Sequence, residues 1–216
     1  MKPLVIYGTG GHAAEVLDLI DAINTIQPTW QVDGFLVDAS FQDAPFYLGY
    51  PVLGDHGYLQ TSPETAIVIA LGNGQARQMI ADKIRNLITS PFFPTLIHPE
   101  AIISSRATLG EGIQICAQSI IQARASIADH VIINVACSIS HDCTIGPFAT
   151  LAPGARLAGN VTVASHTSLG IGVVAIPGVH LGQGSIVGAG AVLIRDVPPA
   201  STVAGNPATR IGTATR

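Results

Sequence analysis

The chain has 216 residues, of which 48% are hydrophobic, 5% aromatic and only 11% charged, with 23 glycines and 14 prolines. That is room for one large or two small domains, but too little Glu and Lys for long helices with charged outer faces. A net charge of −4 gives no electrostatic reason to expect nucleic acid, and three cysteines with no CxxC argue against a disulfide framework or a zinc knuckle. The N-terminus MKPLVIYGTGG lacks the charged-then-apolar pattern of a signal peptide, and no apolar run is long enough for a membrane span. A soluble cytoplasmic protein with no membrane contact is the expectation.

In chain order, LVIYG (4–8) predicts a short buried strand and HAAEVLDLIDAI (12–23) a helix. VDGFLVD (32–38) and TAIVIALGN (65–73) predict further strands, and QARQMIADKIRNLI (75–88) a second helix. Strands alternating with helices indicate a parallel α/β sheet, a Rossmann-like arrangement. SPFFPTLIHPEA (90–101) holds three prolines, which end helices and favour extended neighbours, so the boundary is expected there. The expected domains are 1–95 and 96–216.

Within the first domain GTGGHA (8–13) lies between strand and helix, and Gly8, Gly10 and Ala13 fit G-x-G-x-x-A. Such a turn sets phosphate at a helix N-terminus. With Asp33 or Asp38 downstream the motif admits NAD, and a bare structural turn fits it too.

The second domain repeats every six residues. From Ile103 to Leu193 each sixth position is Ile, Leu or Val, Ala175 excepted. The position four residues beyond is Ala, Ser, Cys, Thr, Val or Ile from Ala107 to Ala191. A helix has no period of six. A hexapeptide solenoid does: each hexad makes a short strand and a turn, aliphatic residues point inward, and stacked coils bury one core. In this register Ile139 and Ile145 point inward, and His141 and Asp142 fall at a coil corner. A solvated turn is one reading of that pair; a general base with a carboxylate partner is the other. Cys137 and Cys143 occupy small inward positions, where a thiol packs as a small hydrophobe.

YGTGGHAAEV, LIHPEA, INVACSISHDCTIG and VGAGAVLIRDVPPASTVAGNPATRI together resemble the NeuD/PglD-type sugar O- and N-acetyltransferases over nearly the whole chain. The resemblance implies a left-handed parallel β-helix of three hexapeptides per coil. It implies acetyl-CoA as co-substrate, a nucleotide-sugar partner, no metal, and a homotrimer with active sites between subunits. His141 is then the general base and Asp142 its partner. Asn134 should lie near the reacting group of acetyl-CoA, and Gly159, Ile171 and Ala189 match positions along which acetyl-CoA lies, between neighbouring subunits. Thr150 stands where members often carry a second His. Gly10, Gly11, His12, Asp38 and Asn73 would hold the nucleotide-sugar.

The implied reaction is N-acetylation of a 4-amino group on a nucleotide-linked dideoxy sugar. O-acetylation of sialic acid or a related sugar is the alternative, and a non-catalytic scaffold the further one. An NAD-dependent reductase gains no support from the solenoid half. His56, His130 and His180 are expected in surface turns, and His98 to be structural. His141 and His166 lack the close His pairing of a three-histidine zinc site.

Overall fold

The computed structural model describes residues 1–41 and 44–214, and the chain divides into two compact units, Met1–Pro99 and Glu100–Arg216. The first unit runs β1 (Lys2–Tyr7), α1 (Gly11–Ile26), β2 (Trp30–Leu36), a short antiparallel pair β3 (Phe46–Tyr47) and β4 (Tyr50–Pro51), β5 (Ala66–Ile69) and α2 (Gly74–Leu87). β1 lies between β2 and β5, parallel to both. Leu4, Val5 and Ile6 are fully buried, which is why this strand reads as an unbroken apolar run. Ala13, Val16, Leu17 and Ile20 form the buried face of α1. The strand expected over 65–73 is shorter, because Leu71, Gly72 and Asn73 turn into α2, with Asn73 as its N-cap.

The second unit is a left-handed parallel β-helix of two-residue strands on three sheets. Ile121 pairs with Ile139, Ile127 with Ile145 and Ile133 with Leu151. Each offset is one coil of three hexads. Every position of the aliphatic series from Ile115 to Leu193 is buried, as are the small positions from Ile113 to Ala191. Ile103, Ala107 and Leu109, in the first coil, are only partly buried. The last rung, Ser201–Ala204, pairs antiparallel with Thr209–Thr213.

Each corner of a coil needs one residue in the left-handed region, and these residues stack into three edges. Arg124, Asp142, Asn160 and Gly178 form one. Gly112, His130, Phe148, His166 and Gly184 form the second, and Gln118, Ala136, Gly154, Gly172 and Gly190 the third. A non-glycine residue in this conformation costs on the order of 1 kcal/mol. The ladder offsets that cost by satisfying the corner N–H groups: His130 donates to Glu111 O at 2.8 Å and Phe148 to Asp129 O at 3.0 Å.

The second edge corrects one expectation. His130 is not in a surface turn; it is 1% exposed. Its ring stacks on Phe148 at 5.1 Å and 8°, and Phe148 stacks on His166 at 5.5 Å and 6°. Equivalent positions of successive coils are one strand spacing apart, so flat rings placed one coil apart must lie face to face.

Candidate active site

His141 and Asp142 sit on the first edge, held from both sides by the ladder. Asp142 N–H donates to Ala123 O at 3.2 Å, and Asn160 N–H donates to His141 O at 3.0 Å. His141 Nδ1 lies 2.7 Å from Asp142 Oδ2, and the imidazole is 53% exposed. A carboxylate only accepts, so Nδ1 carries the proton and Nε2 presents its lone pair.

Gly159, one coil further on, lies under the ring. A Cβ there would stand 2.5 Å from His141 Cε1 and 2.7 Å from Nε2. The ring occupies the space any side chain would fill. Gly159→Ala should therefore keep the fold and displace the imidazole, lowering kcat by roughly a hundredfold. Circular dichroism and steady-state kinetics check this, and an active Gly159→Ala enzyme would show that the ring position is unimportant.

Sequence reasoning missed Arg124. Its Nε lies 2.7 Å from Asp142 Oδ1 and its Nη2 2.8 Å from Oδ2, a bidentate pair. Arg124, and then His141, hold the Asp142 carboxyl well below the usual carboxylate range. The signal was available in the repeat: Arg124 precedes Asp142 by one coil.

The remaining solenoid candidates lie elsewhere. Asn134, Ile171 and Ala189 sit on the third edge, and Thr150 on a strand of the sheet that leads into it. Asn134 Oδ1 accepts from Val135 N–H at 2.7 Å. Val135, Ile171 and Ala189 are exposed, one or two coils apart, and give this edge an apolar outer strip. Cys137 and Cys143 are buried, and burial pushes both thiols up, Cys137 to about 11. Neither is a ready thiolate nucleophile.

In the first unit the C-terminal ends of the parallel strands open a cleft of about 540 Å³, lined among others by Gly8, Gly10, Asp38, Leu71 and Ile80. Gly8 has φ +117° and its Cα faces Ala70 O, where a Cβ would stand at 3.0 Å; only glycine makes this turn without strain. Asp38 accepts from Tyr7 Oη at 2.5 Å and from Lys83 Nζ at 3.2 Å. These bonds, the tyrosine's first, hold the Asp38 carboxyl below its ordinary value, while burial and then Asp38 push the Tyr7 phenol up.

Gly10 and Asp38 thus share the cleft, and Gly11, His12 and Asn73 do not line it. Gly11 and His12 open α1, where His12 Nδ1 is 2.7 Å from Glu15 Oε2. Asn73 Oδ1 accepts from Ala76 N–H at 3.0 Å. Behind that cap Arg77 is fully buried and donates to Leu71 O at 2.6 Å; burial pushes its guanidinium down to about 9. Tyr7, Lys83 and Arg77 carry no motif, and the sequence alone gives no reason to pick them.

A hexad solenoid with a histidine–carboxylate pair on one edge, following an α/β unit with a glycine turn, places the chain in the hexapeptide-repeat class of folds. Residues 3–84 match the PglD N-terminal domain family. PerB from Caulobacter crescentus, solved with CoA and GDP-perosamine, is 35% identical with a TM-score of 0.88, covering 98% of each chain. Variants of that enzyme with one histidine replaced by Asn or Ala have been solved with the same ligands. The acetyltransferase domain of PglB from Neisseria gonorrhoeae is 32% identical with a TM-score of 0.86, over 98% of this chain and 100% of that one. UDP-N-acetylbacillosamine N-acetyltransferase of Bacillus subtilis is 35% identical over 117 residues, 54% of this chain and 52% of that protein. The chain thus spans about half the length of that curated relative. The chain belongs to the NeuD/PglD-type sugar acetyltransferase family. Among the described residues no helix is long and apolar enough to cross a membrane.

Proposed function

We propose that this chain is an acetyl-CoA-dependent N-acetyltransferase acting on the 4-amino group of a nucleotide-linked amino-dideoxy sugar. The observation that carries the reading is His141 Nδ1 turned to Asp142 at 2.7 Å, which leaves Nε2 as an exposed base above Gly159. The sugar nitrogen attacks the thioester carbonyl and one of its protons passes to Nε2; as the tetrahedral adduct collapses the C–S bond breaks, and the imidazolium returns that proton to the departing sulfur, releasing CoA thiol and the free base. Asp142 favours the imidazolium that forms. Direct attack needs no acyl-enzyme, in keeping with the buried, high-pKa cysteines. The cleft at Gly10 and Asp38 takes the nucleotide, with Gly11, His12 and Asn73 at the adjoining helix starts. The reading places the reaction in the cytoplasm, where activated sugars and acetyl-CoA would meet.

The base lies on the first edge, whereas Asn134, Ile171 and Ala189 lie on the third. Within one solenoid these edges are separated by a sheet face, and a site built between two copies of the chain would bring the first edge of one to the third edge of the other. A homotrimer with sites between subunits supplies such a pairing, and the apolar strip of the third edge suits a pantetheine arm.

The test is release of CoA thiol from acetyl-CoA with GDP-, UDP- and dTDP-linked 4-amino-4,6-dideoxy sugars and with sialic acid, alongside the mass in solution by light scattering. Turnover with one amino sugar and a trimeric mass are expected. Turnover with sialic acid alone would replace N- by O-transfer, no turnover would leave a scaffold, and a monomer would remove the intersubunit site.

A further inference from the structure

We propose that Arg124 is a positioning residue for the base: it locks the Asp142 carboxylate in the one orientation that meets His141 Nδ1, and it tempers that carboxylate's pull on the imidazole. The inference rests on the reading of His141 as the base.

Asp142 has a short side chain at a left-handed corner (φ 61°), and its side chain is 31% exposed. Left alone, such a carboxylate can turn to water. Arg124 occupies the same corner one coil earlier with the same backbone conformation (φ 60°), so its side chain emerges directly beside Asp142. Its planar fork takes both oxygens in parallel, at 2.7 and 2.8 Å, a geometry lysine cannot reproduce. Oδ2 then carries two bonds, one from Arg124 Nη2 and one from His141 Nδ1 at 2.7 Å. Rotating the carboxylate to break the second would also break the first.

The charge effect has a definite sign. The groups at the three stacked corners are Ala123 and Arg124 before the imidazole, Asp142 and Cys143 beside it, and Gly159 and Asn160 after it. Of these only Asp142 and Arg124 carry charge near neutral pH. Asp142 favours the imidazolium, and Arg124 opposes it directly and by sharing the carboxylate. Removing the Arg124 charge should therefore raise the pH at which the base becomes protonated. The acid limb of the rate profile should move up with it.

Two variants separate the two roles. Arg124→Gln removes fork and charge: kcat should fall roughly tenfold, and the acid limb of kcat/KM should rise by about half a pH unit. Arg124→Lys keeps the charge without the fork: kcat should stay low while the limb stays near its wild-type position. The His141 Cε1–H resonance, titrated by NMR without substrates, should show the same pair of midpoints. That titration tests Arg124 even if the acceptor panel yields no turnover, so failure of the functional reading and failure of this one are distinguishable. An Arg124→Gln protein whose imidazole midpoint and kcat match wild type overturns the proposal. Full recovery of kcat in Arg124→Lys overturns the positioning role.

Discussion

His141→Ala should fold and assemble as the wild type does and lose acetyl transfer by about a thousandfold. The imidazole is half in solvent and carries no core packing, so its removal leaves the hexad register untouched. What disappears is the group that accepts the proton as the sugar nitrogen attacks. Single-turnover kinetics on the two proteins, with circular dichroism as the control for folding, decide the matter. A variant retaining more than a tenth of wild-type kcat would require another base. The pH profile adds a second reading. Arg124 and His141 hold the Asp142 carboxyl below the usual carboxylate range, so Asp142 stays ionised through mild acid. Its stabilising contribution is complete above the ordinary carboxylate range and is lost as pH falls from that range toward the depressed folded-state value. Loss of rate in mild acid is therefore not loss of the Asp142 charge.

Phe148→Ala should be the costliest single change on the second edge, about 3 kcal/mol, and should lower Tm by roughly 10 °C. Phe148 is 7% exposed and has a ring on each side, His130 from the coil before and His166 from the coil after. Its deletion removes both stacking contacts and leaves a cavity that rigidly laddered neighbours cannot close. The backbone strain at φ 59° remains, since alanine gains nothing in the left-handed region. Calorimetry on wild type and variant measures the loss. An unchanged Tm would mean that the stack is ornamental and the ladder alone holds the corner. The kinetic constants should barely move, because the dyad lies on a different edge.

The period of six was fully legible because burial itself is periodic: an aliphatic residue at Ile139 and a small one at Cys143 are demanded by the coil, whatever lies beyond it. The α/β unit was legible from LVIYG and the helical spacing after it, although Ala70 to Asn73 read as strand while serving as the turn into α2. What the hexad pattern hid were contacts between coils. His130 reads as a polar turn residue, and Arg124 belongs to no motif within its own hexad. Each is defined by a residue one full coil away, Phe148 and Asp142. Reading the same letters in threes of hexads brings both pairs into line. Tyr7, which lines the cleft, and Lys83, which does not, remained hidden for a different reason: they reach Asp38 from separate elements whose approach depends on tertiary packing.

Chain length in this solenoid behaves as a quantised coordinate. Arg124, His141–Asp142 and Gly159 belong to three consecutive coils, so the dyad, its clamp and its floor align only when whole coils separate them. Adding one coil ahead of Glu111 lengthens the rod by about 4.8 Å and leaves this arrangement unaltered. Removing a single hexad between Arg124 and His141 keeps every aliphatic residue facing inward and rotates the base to a neighbouring edge. Insertions and deletions that the core accepts equally are therefore sorted by the chemistry into silent and fatal ones.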